Sequence, residues 1–146
     1  MSVEASRVHT TIDAAPAAVW KALMTPSTFK QFFFGSDVDT DWRVGSPILF
    51  RGEWKGKKYE DKGSVKAVNE NTRLAFTHWS PLSGTKDSPE NYHVVSFDLS
   101  PAGTGTKVEL SQTNLNDAEP VTAKNREEYA KNWTMVLEGL KKAVEK

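Results

Sequence analysis

Between residues 37 and 115 the chain is a succession of short segments whose apolar residues recur at every second position, each ended by turn chemistry. A meander of that kind carries an apolar face that needs a cover. The last eighteen residues, YAKNWTMVLEGLKKAVEK, supply one. Tyr129, Trp133, Val136, Leu137, Leu140 and Val144 fall at spacings of three and four, the stripe of an amphipathic helix. Together the two patterns predict an α+β arrangement: a curved antiparallel sheet with one long helix across its concave face.

The remaining segments complete that arrangement. SRVHTTID alternates with Val8, Thr10 and Ile12 on one side, as a first strand does. APAAVWKALM reads as a helix with Pro16 in its first turn, and Thr25-Pro26 ends it and caps a second short helix, PSTFKQFF, closed by Gly35. Then come SDVDTDW, ILFRGEW, KYEDKGSVKAV, RLAFTHW, NYHVVSFDLS and TKVELSQTNL, six strands that make seven with the first. Most are joined by short turns and are expected to be neighbours. A length of 146 residues suits one domain over 1–146.

Composition excludes several functions. Lysine plus arginine number 19 and aspartate plus glutamate 19, so no net charge draws the protein to nucleic acid or an anionic membrane. With no cysteine there is no disulfide, thiolate zinc site or thiol nucleophile. No apolar run is long enough to insert in a membrane, the N-terminus MSVEASRVHTTID has no signal-peptide core, and a cytoplasmic location is expected. There is no nucleophile elbow, phosphate loop or dinucleotide fingerprint, and GTGT at 103–106 precedes a strand rather than a helix. No cofactor or metal is expected, and catalytic residues are not assigned.

The order of strand, two short helices, six-stranded meander and long helix resembles the START-like superfamily, also called SRPBCC, with its helix-grip (Bet v-like) fold around a deep cavity. The stretches IDAAPAAVWKAL, DWRVGSPI, KGSVKAVNENTRLAFTHW, VSFDLSPAGTGTKVELSQTNL and NWTMVLEGLKKAV look like the group named for the activator of the heat-shock-protein-90 ATPase. The resemblance covers most of the chain. It implies a ligand cavity or a chaperone partner; the superfamily holds carriers, cyclases and chaperone activators alike.

Strand parity locates the site. The inward class comprises Ile48, Phe50 and Trp54; Tyr59, Val65 and Ala67; Leu74 and Phe76; Val95, Phe97 and Leu99; and Val108 and Leu110. Carried further, the same parity turns Asp61, His78, His93, Gln112 and Asn114 inward. All of these lie at one end of the sheet, where the last helix brings Tyr129 and Trp133. The space under the stripe is thus expected to be apolar at one end and polar-aromatic at the other, a pocket for a small hydrophobic or amphiphilic molecule between sheet and helix. Its polar group would lie among His78, His93 and Gln112, with the loop 80–90 and its Gly84 as a lid.

Plainer readings stand beside this one. Tyr129, Trp133 and Leu140 each fit ordinary core, and His78 and His93 fit satisfied strand-end histidines. Asp61 reads as an exposed strand-end charge, and Asp37, Asp39 and Asp41 as a solvated edge face. Arg51 reads as half of a surface ion pair. A bulge at Gly52 or Gly63 would reverse every later side chain. Three functions remain: ligand binding, a chaperone-type interaction module, and a cyclase or hydrolase with His78 or His93 as general base.

Overall fold

The computed structural model describes residues 3–81, 85–115 and 122–145; the side chains of Val3 and Trp54 lie outside the described residues. Its strands are β1 (Val3–Ile12), β2 (Asp37–Asp39), β3 (Pro47–Trp54), β4 (Lys57–Asn69), β5 (Arg73–His78), β6 (His93–Ala102) and β7 (Gly105–Asn114). Helices α1 (Pro16–Met24) and α2 (Pro26–Phe32) follow β1, and α3 (Ala123–Val144) follows β7. The strands form one antiparallel sheet in the order β1-β7-β6-β5-β4-β3-β2. Short turns join β3 to β4, β4 to β5 and β6 to β7, whereas β5 and β6 pair across the longer segment 79–92. Lys55 and Gly56, with φ of 52° and 78°, make the two-residue connection of the β3–β4 hairpin.

One layer of apolar side chains binds the elements together. Phe29, Phe32 and Phe33 of α2 and its end point down onto Phe50, Phe76 and Phe97, with centroids 6.0 Å apart for Phe29–Phe50, 5.4 Å for Phe33–Phe50 and 6.3 Å for Phe32–Phe97. Val136, Leu137 and Leu140 of α3 close the same cluster, all of it buried. Helix α3 also clasps the sheet edge. Lys141 Nζ donates to the Thr11 carbonyl (2.7 Å) and Arg126 to that of Glu4 (3.0 Å), so acceptors of the outermost strand are taken.

Parity holds along every inward strand except the second half of β4. The register shifts between Val65 and Ala67, so that Val68 stands opposite Leu74 and packs on the core while Ala67 pairs with Ala75. The expectation that Ala67 faces the helix is corrected: a bulge there turns the rest of the strand over. Neither flagged glycine marks it. A Cβ on Gly63 would lie 1.7 Å from the Thr77 carbonyl oxygen, and one on Gly52 2.4 Å from Tyr59 Oη, so both are close approaches.

Smaller expectations change as well. Thr25 does not cap α2 with its side chain; its hydroxyl donates to the Lys21 carbonyl at the end of α1 (2.7 Å). Asp41 is not on a strand, because β2 ends at Asp39, and its carboxylate accepts from the Arg43 backbone N–H (2.9 Å) in the following turn. Asp37 and Asp39 are exposed as expected, but each faces a cation, Lys30 at 3.2 Å and Arg51 at 3.1 Å. Helix α3 begins at Ala123, a turn and a half before the stripe, where the Thr122 hydroxyl accepts from the Asn125 N–H (3.1 Å).

Candidate functional site: the polar-aromatic end of the sheet

Strand ends place the polar residues. Antiparallel pairing sets His78 at the end of β5 directly opposite His93 at the start of β6, with ring centroids 5.0 Å apart. His93 in turn stands opposite Asn114, and Gln112 opposite Val95. From α3, the Trp133 indole N–H donates to Gln112 Oε1 (2.8 Å), and Gln112 Nε2 donates to Asn114 Oδ1 (2.9 Å). All three side chains are buried, so this chain of donors and acceptors ties the helix to β7 where an apolar contact would leave amides unsatisfied.

Asp61 forms the second polar feature. Its Oδ2 lies 3.0 Å from His78 Nε2, and the two side chains are 13% and 15% exposed. Asp61 is therefore not an exposed strand-end charge; β4 carries it inward beside Phe50, against whose ring His78 packs edge-on at 5.3 Å. A carboxylate only accepts, so His78 Nε2 carries the proton of this contact. Among the described residues His78 Nδ1 and Asp61 Oδ1 are both buried without a hydrogen-bond partner. Burial, reinforced by neighbouring His78, pushes His93 down to about 3, so it is a neutral imidazole at physiological pH.

Two hollows open at this end. One, of about 260 Å³, is lined by His78, His93, Gln112, Tyr129, Asn132 and Trp133, together with Trp79, Ser80, Thr85 and Asn91. The other, of about 390 Å³, lies between Phe33, Ser36, Glu53, Tyr59 and Asp61. Phe34, His78 and Trp133 line both and form the partition between them. Phe34 is 52% exposed with φ 53°, a left-handed backbone that is uncommon outside glycine. Among the described residues no three His, Asp or Glu side chains are grouped to hold a metal ion.

The structure brings Tyr59, His78, His93, Gln112, Tyr129 and Trp133 to the walls of these hollows. Asn114 lies behind Gln112 as its hydrogen-bond partner. Phe76, Val95, Phe97, Leu110, Val136, Leu137 and Leu140 line neither hollow; they are buried in the core under the α2 phenylalanines. The Trp54 side chain and Gly84 of the loop lie outside the described residues. Phe33, Phe34 and Ser36 escape strand parity because they belong to the turn after α2. Their one signal is the run Phe32-Phe33-Phe34-Gly35, three successive aromatics that cannot all face one way on a helix.

Comparison with known proteins follows this geometry. The model of the family described as activator of Hsp90 ATPase homolog 1-like protein matches residues 13–145. The solution structure of protein ChR145 from Cytophaga hutchinsonii is 44% identical and covers 97% of this chain and 92% of its own, with a TM-score of 0.78. The Aha1 dimer from Colwellia psychrerythraea is 21% identical over 99% of this chain and 96% of its own, at a TM-score of 0.68. The crystal structure of Ara h 8.0201 is 14% identical over 99% and 97%, at a TM-score of 0.73. These last two show a shared fold alone. No curated protein matches the chain. No helix among the described residues is long and apolar enough to cross a membrane.

Proposed function

The chain belongs to the family of activator of Hsp90 ATPase homolog 1-like proteins, with the START-like fold, and on that premise we propose that it binds a small hydrophobic or amphiphilic molecule at the polar-aromatic end of its sheet. One observation carries this reading. The two hollows meet at a partition of Phe34, His78 and Trp133, beside the buried Asp61 Oδ1 and His78 Nδ1, which have no hydrogen-bond partner among the described residues. Buried polar atoms of that kind are costly, by about 1–3 kcal/mol each, and a ligand group that satisfies them recovers that cost on binding. The apolar body of the ligand lies against Trp133, Tyr129 and Phe34. Unlike the deep pocket expected from strand parity, the proposed site is shallow, since the α2 phenylalanines occupy the interior.

Two other readings each have an observation behind them. The description of the family favours a chaperone-type interaction, which makes function independent of Trp133 and His78. The Asp61–His78 pair favours a general base, with Asp61 orienting the imidazole and Nδ1 receiving a proton. Native mass spectrometry separates the three, on the protein as purified and after incubation with fatty acids, flavonoids and short polyketides. Binding predicts a discrete adduct weakened by Trp133→Ala and by His78→Ala. Catalysis predicts a ligand returned at altered mass by the wild type and unaltered by His78→Ala. No adduct under any condition contradicts the binding reading.

A further inference from the structure

The second hollow has a chemistry of its own. Phe33, Phe34 and Trp133 form three of its walls, with centroid separations of 5.2 Å for Phe33–Phe34 and 6.0 Å from each to Trp133. Tyr59 forms another, its ring laid over Gly52, where a Cβ would lie 2.4 Å from Oη, and its hydroxyl joined to Ser36 Oγ at 2.8 Å. The face of an aromatic ring carries negative potential, so walls of this kind attract cations and not anions. The charged residues agree in sign: Glu53 and Asp61 line the hollow, and the described lining residues include no lysine or arginine. Arg51, two residues from Glu53, bonds to Asp39 and Glu60. Asp61 keeps one buried oxygen free of any hydrogen bond among the described residues.

We propose that this hollow receives the cationic group of an organic amine or quaternary ammonium, enclosed by Phe33, Phe34, Tyr59 and Trp133 and balanced by Asp61 and Glu53. The inference deepens the binding function proposed above and rests on it, because the partition residues serve both hollows. It names the ligand's charge. A fatty acid or other carboxylate placed here would meet the Glu53 and Asp61 carboxylates and no lysine or arginine among the described lining residues, whereas an ammonium group with an apolar or aryl body meets complementary charge and ring faces, with His78 already hydrogen-bonded to Asp61. The neighbouring hollow, with His93 neutral and Gln112 already bonded, holds the uncharged part of such a ligand.

The test compares two probes of the same shape, 4-hydroxyphenyl-trimethylammonium and 4-tert-butylphenol, by isothermal titration calorimetry on the intact protein. The expected result is that the cation binds about tenfold more tightly than the phenol. Asp61→Asn and Glu53→Gln then each lower affinity for the cation severalfold and leave the phenol unchanged. Glu53 is exposed, so its variant keeps the test valid even if Asp61→Asn fails to fold. Equal or tighter binding of the phenol, or a cation-to-phenol ratio unchanged in Glu53→Gln, overturns the proposal while leaving the amphiphile site standing. Binding of neither probe also overturns it, and the native mass spectra then decide the broader reading separately.

Discussion

The two ends of the sheet are built from the same strands and covered by the same helix, yet one is solid and the other is not. At the apolar end Leu74, Phe97, Val108 and Leu140 share one buried cluster with Phe32 and its neighbours from α2, and each of these side chains is at most 3% exposed. At the opposite end His78, Asp61, His93 and Gln112 occupy the corresponding inward positions, and two hollows remain. The difference comes from α2. Its phenylalanines reach the middle of the sheet and fill what would otherwise be a deep cavity, and the two hollows under α3 lie beyond Phe33 and Phe34. A shared fold therefore fixes where a cavity can be, while one short helix decides how much of it is left.

That contrast is open to direct attack, and the largest effect is expected at the solid end. Phe97→Ala removes a ring packed on Phe32 and should cost about 3–5 kcal/mol in urea denaturation; a much smaller loss would mean the apolar end is already loose. At the polar end the comparable probe is pH. His93 is neutral in the folded protein down to about 3, whereas in the unfolded chain it takes up a proton below its ordinary value of 6.5. The unfolded state then binds more protons in that window, so stability is complete above it and is lost as pH falls, by up to about 3 kcal/mol near pH 4.5. His93→Gln should flatten that dependence.

Two smaller effects sharpen the comparison. Gln112→Ala leaves the Trp133 N–H buried without its acceptor and should cost about 1–3 kcal/mol, with a shifted indole signal in the NMR spectrum. Phe34→Ala should change stability by less than about 0.5 kcal/mol, since the side chain is half in water. Its effect belongs to the site instead: both hollows lose a ring that the ligand lies against, and affinity for amphiphiles should fall severalfold. A stability loss at Phe34 as large as that at Phe97 would erase the distinction between the two ends.

Strand parity made much of this legible in advance. Period-two alternation sets the face of each described inward residue from Ile48 to Leu110 except Ala67, because β3, β5, β6 and β7 pair in unbroken register and β4 shifts beside Lys66. The clustering of His78, His93, Gln112 and Trp133 followed from antiparallel pairing, which brings alternate strand ends to one edge. What parity cannot express is depth. Nothing in the alternation shows that Phe29, Phe32 and Phe33 enter the interior, so Phe76, Val95, Phe97 and Leu140 are predicted as cavity wall and found as core. The Asp61–His78 hydrogen bond was similarly hidden, since it joins residues of neighbouring strands that are not directly opposite, Lys62 being the partner of Trp79.

Chemical-shift mapping measures where a ligand sits. In a titration with a short amphiphile such as 4-phenyl-1-butanol, the Trp133 indole N–H and the signals of His78, His93 and Phe34 should shift in a saturable way, while the amides of Leu74, Leu99 and Val108 stay in place. Shifts centred on those three residues would place a cavity at the apolar end and contradict the account, as would a saturated ligand that leaves the Trp133 signal unmoved.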